Sequence, residues 1–121
     1  MSDKKSILVV DNEQSIREIL GNVLKGRGYN VVMAEDGYKA IDKVKKVSFA
    51  ITFLDIRMPG INGVETLKEI KKISPETRVA MMTGYPDKNL VKEAIKQGAY
   101  TVIYKPFDRK KVITIVEKLD D

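Results

Sequence analysis

Five mostly apolar residues lead into a carboxylate in the middle of the chain, in the stretch Ala50-Ile51-Thr52-Phe53-Leu54-Asp55. A run this short, with almost no polar position, is typical of a β-strand that is covered on both faces, as strands of a parallel sheet are. Comparable runs recur at residues 7–10, 31–34, 79–82 and 101–104. We therefore predict five short strands, each buried on both faces.

Segments with a helical repeat of apolar residues separate the predicted strands. The first segment ends in a glycine-rich stop at residues 26–28, and the third begins with Asn62 and carries Glu65 three residues later, the spacing of a capping box. The apolar stripes of the five segments are Ile16, Ile19, Leu20, Val23 and Leu24; Ala40, Ile41 and Val44; Val64, Leu67 and Ile70; Leu90, Val91, Ala94 and Ile95; and Val112, Ile115, Val116 and Leu119.

This strict alternation of strands and helices predicts a doubly wound α/β fold, with a parallel sheet, right-handed crossovers and helices on both faces. The chain has 121 residues, a length that suits one core, so we treat residues 1–121 as a single domain. Apolar residues make up 43% and charged residues 32%, the balance of an ordinary globular protein. Cysteine is absent, which excludes disulfides and thiolate metal sites.

The net charge of +5 and the pI near 9.3 are compatible with nucleic-acid binding. Most basic residues, however, alternate with acidic ones at helical spacing, as in Lys68-Glu69, which is typical of a solvated helix face. We therefore predict no direct nucleic-acid binding. The four aliphatic residues at 7–10 are too short a run for a signal peptide or a membrane span, so a cytoplasmic location without membrane contact is the default.

Polar residues follow several of the predicted strands. Asp11 and Asn12 follow the first strand, Asp55 the third, Thr83 the fourth and Lys105 the fifth. The carboxyl ends of parallel strands share one rim of the sheet, where doubly wound proteins bind their ligands. Each residue alone has an ordinary explanation as a helix cap or an exposed side chain. Together they place carboxylates, a hydroxyl and an ammonium group at one rim, which favours phosphoryl chemistry.

The chemical roles follow from the residue types. A carboxylate such as Asp55 can accept a phosphoryl group, whose charge needs positioned positive partners. Mg²⁺ takes oxygen ligands, which Asp55 and the turn of Asp11 and Asn12 can supply. Lys105 can act as a point charge on one phosphoryl oxygen, and Thr83 can donate a hydrogen bond to another. The chain contains no His, so a histidine donor has to belong to another protein.

Four segments in order and in spacing then carry a resemblance: Ile7-Leu8-Val9-Val10-Asp11, Leu54-Asp55-Ile56-Arg57-Met58-Pro59-Gly60, Met82-Thr83-Gly84 and Lys105-Pro106-Phe107. Together they resemble the CheY-like receiver domains of two-component response regulators, from about residue 6 to residue 119. The resemblance implies a flavodoxin-like (βα)5 fold with strand order 2-1-3-4-5 and a cis peptide bond before Pro106.

The same resemblance implies a role for each site residue. Asp55 is the phosphorylated aspartate, Lys105 binds the phosphate, and Thr83 is the switch hydroxyl. The cofactor is Mg²⁺, with Asp11, Asn12, Asp55 and Arg57 as its candidate binding residues. The phosphoryl donor is a histidine kinase or a histidine phosphotransfer protein. The output partner or domain, whose identity the sequence does not give, binds the face formed by the fourth helix, the fifth strand and the fifth helix, and the domain is a monomer or a phosphorylation-dependent dimer.

Two positions depart from the family pattern. Asn12 occupies the position of a second acidic residue, so it can coordinate a cation but brings no charge, and we expect the adjacent Glu13 to point elsewhere because it should begin the first helix. Val102 occupies the switch position where the family usually carries an aromatic ring or His. Tyr104 lies two residues later on the same face of the strand. Arg57 and Tyr85 are expected to border the open side of the phosphoryl group and to prolong its lifetime.

Three other functions remain as alternatives. A small-molecule or nucleotide-binding module of the same architecture would need a glycine-rich loop after the first strand, and residues 11–15 contain no Gly. A phosphatase or phosphomutase with an aspartate nucleophile would resemble Asp-x-Asp, and here Arg57 stands two residues after Asp55. A degenerate receiver that binds partners without phosphorylation rests on Asn12 alone. The sequence leaves open whether the receiver stands alone or is part of a larger regulator.

Overall fold

The computed structural model describes residues 5–84 and 87–120, which form alternating strands and helices. The strands are β1 (Ser6–Val10), β2 (Asn30–Ala34), β3 (Ile51–Asp55), β4 (Arg78–Thr83) and β5 (Thr101–Tyr104). The helices are α1 (Gln14–Gly26), α2 (Gly37–Lys46), α3 (Gly63–Ile73), α4 (Lys88–Lys96) and α5 (Arg109–Glu117), followed by a 3₁₀ turn at Lys118–Asp120. No helix in the described part of the chain is long and apolar enough to cross a membrane.

All strand pairs are parallel, and the sheet has the order β2-β1-β3-β4-β5. This confirms the predicted doubly wound fold and its strand order. The register pairs Val10 with Leu54, Asp55 with Met82 and Thr83 with Tyr104. The carboxyl ends of β1, β3, β4 and β5 therefore meet at one rim of the sheet. The peptide bond between Lys105 and Pro106, just beyond β5, is cis, as predicted.

Alternate residues of the three central strands enter two separate apolar clusters. Leu8, Leu54 and Met81 face the side of α2, α3 and α4, and Ile7 and Phe53 face the side of α1 and α5. β1, β3 and β4 are almost wholly buried, as predicted. The prediction was wrong for β2 and β5, whose residues are mostly only partly buried. These are the edge strands, so each has a neighbour on one side only.

The expected capping box of α3 is present: the Asn62 side chain accepts from the Glu65 N–H, and the Glu65 side chain accepts from the Asn62 N–H. Two residues of the apolar stripes are exposed, Ile19 by 40% and Ile95 by 59%. Ile19 comes one position before the fully buried Leu20, and Ile95 comes one position after the fully buried Ala94. One position rotates a side chain by about 100° around the helix, which turns both isoleucines away from the sheet.

Gly63 begins α3 where the helix passes against the end of β3. Its N–H donates to the Ile56 carbonyl at 2.7 Å. A Cβ atom at this position would lie 2.2 Å from the Asp55 carbonyl oxygen and 2.6 Å from the Ile56 Cα. Backbone atoms cannot move aside as a flexible side chain can, so the residue type at position 63 helps to fix the strand end that carries Asp55.

We predict that Gly63→Ala lowers the free energy of unfolding by about 2–3 kcal/mol, the upper part of the range for overpacking, because the new methyl group meets rigid backbone. Urea unfolding followed by circular dichroism measures this. The control is Gly26→Ala at the end of α1, where an added Cβ meets nothing within 4 Å and should leave stability unchanged or slightly raised. Equal stability of the two variants would contradict the role given to Gly63.

Candidate functional site

Asp11 follows β1 at the rim of the sheet and is fully buried. Its Oδ1 accepts from the Glu13 N–H at 2.9 Å, and its Oδ2 accepts from the Lys105 ammonium group at 2.7 Å. The Asp11 carbonyl oxygen accepts from Nη1 of Arg17 at 2.7 Å. A buried carboxylate requires such partners, since desolvation of an unpaired charge is very unfavourable. The side chain and its peptide are thus held from several directions.

Asp55 is the last residue of β3, and only 5% of it is exposed. Its Oδ2 lies 3.5 Å from the Lys105 ammonium nitrogen. The backbone N–H of Arg57 donates to the same carboxylate. A backbone hydrogen bond holds the main chain of Lys105 next to β4: its N–H donates to the Thr83 carbonyl at 2.8 Å. The ammonium group therefore lies between two buried carboxylates that come from different strands.

The electrostatic balance differs between the acid and the base. The pKa of Asp55 is raised to about 6: burial is the largest cause, the negative charge of Asp11 adds to it, and Lys105 acts in the opposite direction. Burial alone would lower the pKa of Lys105, but the hydrogen bond to Asp11 and the attraction of Asp55 outweigh it, so that this pKa is raised. Lys105 is therefore charged at neutral pH, and Asp55 is a carboxylate that lacks sufficient positive charge nearby.

A cleft of about 220 Å³ opens from these buried groups to solvent, and it is lined by Asn12, Glu13, Asp55, Arg57, Gly84 and Lys105. A larger hollow of about 440 Å³ lies between β5 and α5, but Asp108 is the only carboxylate in its lining. The chemistry of the first cleft, with its buried and oppositely charged groups, identifies it as the candidate site. The structure thus brings together the predicted Asp11, Asn12, Asp55, Arg57 and Lys105.

The two predicted switch residues are not part of the lining of this cleft. Thr83 is the last residue of β4 and is 1% exposed. Val102 is partly buried against the cluster on the α2, α3 and α4 side of the sheet. Tyr104 is half exposed and lines a hollow with Lys88 and Val91 of α4. Tyr85, predicted to border the phosphoryl group, lies outside the described residues.

Glu13 was expected to point away from the site, and this expectation was wrong. The residue precedes α1 and has an extended backbone, with φ −91° and ψ 118°, instead of a helical one. Its side chain makes no capping hydrogen bond and lines the same cleft as Asn12 and Lys105. A helix boundary displaced by one residue explains the error, because the direction of a side chain changes between the cap and the first turn.

Sequence reasoning did not find Asp87, which lies next to this site. Its Oδ2 is 3.5 Å from Nη2 of Arg57, and its Oδ1 accepts from the Asn89 and Leu90 N–H groups at 3.1 and 3.2 Å. An Asp ahead of a helical stripe predicts an N-cap, and this signal was present. The pairing with Arg57 has no sequence signal, because it joins residues thirty positions apart on separate loops.

A divalent cation fits the donor groups at the rim. Two buried carboxylates and the exposed Asn12 amide oxygen are hard ligands, and water or phosphate oxygens can complete an octahedral shell. Within residues 5–84 and 87–120, no three His, Cys, Asp or Glu side chains are grouped closely enough to hold a metal on their own. A bound cation would also relieve the repulsion between Asp11 and Asp55 that raises the pKa of Asp55.

We predict that Asp55→Asn raises the free energy of unfolding of the metal-free protein at neutral pH. The folded protein holds the Asp55 proton with a pKa of about 6, against about 3.8 in the unfolded chain, so the wild type loses stability as pH rises through this interval. Asn does not ionise, so the variant loses no stability in this pH interval. The gain should be about 1–3 kcal/mol at pH 7.5 and about half of that at pH 5.

Urea unfolding in the presence of a chelator at both pH values tests this, with Asp42→Asn on the exposed side of α2 as the control. Addition of Mg²⁺ should reduce the gain. A less stable Asp55→Asn protein at pH 7.5 would contradict the electrostatic description.

The response regulator receiver domain family matches residues 7–117. The transcriptional regulatory protein ZraR of Klebsiella oxytoca is 41% identical over 118 residues, which cover 97% of this chain and 27% of that protein. The chain therefore spans about a quarter of the length of this relative. The sporulation initiation phosphotransferase F of Bacillus subtilis is 36% identical over 114 residues, or 94% of this chain and 92% of that protein.

A solved structure gives the same result at the level of the fold. The CheY-like receiver domain protein from Methanospirillum hungatei superposes with a TM-score of 0.93 at 29% identity, covering 98% of this chain and 95% of that one. The family match extends over nearly the whole chain, and the strand order and the cleft agree with it. The chain belongs to the response regulator receiver domain family and is a receiver domain of two-component signalling.

Proposed function

We propose that this receiver accepts a phosphoryl group on Asp55 from a histidine kinase or a histidine phosphotransfer protein, in a step that depends on Mg²⁺. One observation supports the proposal most strongly: the Lys105 ammonium group lies 2.7 Å from Asp11 and 3.5 Å from Asp55, at the bottom of a cleft that is open to solvent. The buried negative charge, the fixed cation and the open side are what in-line phosphoryl transfer to a carboxylate needs.

The transfer assigns a task to each of these residues. A carboxylate oxygen of Asp55 forms a bond to phosphorus while the bond from phosphorus to the donor histidine nitrogen breaks. The donor ring carries a proton on its other nitrogen, so it leaves as neutral imidazole, and Asp55 becomes an acyl phosphate. Lys105 neutralises charge on one phosphoryl oxygen. Thr83, at the end of the adjacent β4, is the proposed hydrogen-bond donor to another oxygen, and its movement toward the phosphoryl group is the proposed switch, with Val102 as the second proposed switch residue.

The proposed ligands of Mg²⁺ are Asp11, Asn12, Asp55 and Arg57. When bound, Mg²⁺ supplies positive charge to the phosphoryl oxygens. The guanidinium group of Arg57 cannot coordinate a cation, and the backbone N–H of Arg57 already donates to Asp55. Arg57 would therefore contribute its backbone carbonyl oxygen. Arg57 lines the cleft, where a side chain can hinder an attacking water. Arg57 and, from its sequence position, Tyr85 remain our proposed determinants of the lifetime of the phosphoaspartate.

The output remains a proposal as well, because the relatives include both long transcriptional regulators and a phosphotransferase of nearly the same length as this chain. We propose that a partner protein or an attached domain binds the face of α4, β5 and α5, and that the receiver is a monomer or a phosphorylation-dependent dimer. A cytoplasmic location and the absence of direct nucleic-acid binding stay predictions. The degenerate receiver is not favoured, because Asp11, Asp55 and Lys105 lie together as phosphorylation requires.

We predict that Asp55→Asn abolishes Mg²⁺-dependent phosphorylation by acetyl phosphate, since Asp55 is the carboxylate of the cleft that ends β3 beside the end of β4, 3.5 Å from the Lys105 ammonium nitrogen. Intact-mass measurement should show one added phosphoryl group on the wild type and none on the variant. Asp42→Asn, which changes an exposed carboxylate on α2, should be labelled as well as the wild type. Labelling of Asp55→Asn at the wild-type level would show that the acceptor is another residue.

We predict that Asn12→Asp tightens Mg²⁺ binding, because it adds a negative charge beside Asp11 and Asp55. Coulomb attraction is largely offset by dehydration, and the net gain should be about tenfold in the dissociation constant. Titration of Mg²⁺ followed by amide chemical shifts measures it. Asn22→Asp adds the same charge to an exposed position of α1 and should change the affinity little. Equal effects of the two variants would exclude Asn12 as a ligand.

A further inference from the structure

The ion pair between Arg57 and Asp87 joins the mouth of the cleft to the first turn of α4. Nη2 of Arg57 lies 3.5 Å from Oδ2 of Asp87, while Oδ1 of Asp87 accepts from the Asn89 and Leu90 N–H groups. One carboxylate therefore caps α4 and holds a cation that lines the phosphoryl site. If the Arg57 side chain moves away, the Asp87 carboxylate at the N-cap loses its cationic partner.

α4 is a helix that depends on such contacts. Ala94 is its one fully buried residue, whereas Leu20, Gly21 and Leu24 are buried in α1 and five residues in α3. A second ion pair, between Lys68 and Glu93 at 3.7 Å, connects α4 to α3. Leu90 and Val91 of α4 are only partly buried against the core, so this helix buries less apolar surface than α3 and is held in place by smaller free energies. The contacts at its first turn thus add to what fixes its position.

The Arg57–Asp87 pair is easy to break. The two side chains are 57% and 33% exposed, and exposed ion pairs contribute only about 0–1 kcal/mol. Phosphorylation of Asp55 would replace a carboxylate by a group of about twice the negative charge, with oxygens that accept charge-assisted hydrogen bonds from a guanidinium group. Arg57 follows Asp55 by two residues and lines the same cleft, so it can exchange one anion for the other.

On the basis of the proposed function, we propose that Asp87 is a positioning residue that competes with the phosphoryl group of Asp55 for Arg57. Without phosphorylation, Arg57 stays with Asp87 and holds the first turn of α4 against the loop after β3. With phosphorylation, Arg57 moves to the phosphoryl oxygens, and α4 loses one of its few anchors. The α4 part of the output face then responds to phosphorylation through Arg57 as well as through Thr83. This second route matters because Val102 stands where other receivers carry an aromatic ring or His as a switch residue.

The test measures the affinity for beryllofluoride, used as the phosphoryl mimic, at saturating Mg²⁺ in four proteins: wild type, Asp87→Asn, Arg57→Gln and the double variant. Asn caps helices as well as Asp does, so Asp87→Asn removes the charge and keeps the cap. We expect Asp87→Asn to tighten beryllofluoride binding about threefold when Arg57 is present, in keeping with the small free energy of an exposed ion pair. The same substitution in the Arg57→Gln background should have almost no effect.

Asp108→Asn is the matched control, because Asp108 caps α5 by accepting from the Lys110 N–H and lies away from the cleft; it should leave the affinity unchanged. In a second measurement, beryllofluoride should shift the Asn89 and Leu90 amide signals of the wild type, and these shifts should shrink in Arg57→Gln. An equal effect of Asp87→Asn with and without Arg57, or looser binding, would overturn this inference alone. A wild type that binds no beryllofluoride would overturn the proposed function and this inference with it.

Discussion

The ammonium group of Lys105 is the interaction on which the site depends. It pairs with two carboxylates, Asp11 and Asp55, that are almost completely removed from water. Two such charges cannot be buried side by side without a cation, because each would have to lose its hydration and repel the other. One ammonium group satisfies Asp11 by a hydrogen bond and lies further from Asp55, whose pKa is raised by burial and by the charge of Asp11 more than Lys105 lowers it. The site is therefore stable as folded and still short of positive charge.

The fold holds the two carboxylates and the single ammonium group in this arrangement. Asp11, Asp55 and Lys105 come from the ends of three strands, and the parallel register brings those ends to one rim. Local contacts then fix each group: Arg17 binds the peptide after Asp11, α3 passes against the end of β3 at Gly63, and the Thr83 carbonyl binds the Lys105 N–H. A rigid scaffold matters because a cation or phosphoryl group gains most from charges that do not have to rearrange.

The same physical features explain how much the sequence could predict. Strand ends are recognisable from short apolar runs, and parallel strands make their ends converge, so the rim residues Asp11, Asp55 and Lys105 could be found without a structure. Edge strands could not be told from central ones by their apolar runs, which is why the burial of β2 and β5 was overestimated. Side-chain direction at a helix boundary depends on one residue of register, and this decided the error at Glu13. The Arg57–Asp87 pair joins two loops and leaves no periodic pattern to detect.

Glu13 and Arg57 also change how the charge of the site is counted. With them, three carboxylates (Asp11, Glu13 and Asp55) face two cations (Arg57 and Lys105), so the cleft carries one net negative charge although Asn12 is neutral. A divalent cation would reverse that charge, and a phosphoryl group on Asp55 would add about one further negative charge and bring the cleft close to neutrality. This near-neutral total is reached only if the guanidinium group of Arg57 stays within the cleft. Because Asp87 draws the same guanidinium group toward α4, the electrostatics of phosphorylation and the position of α4 depend on one side chain.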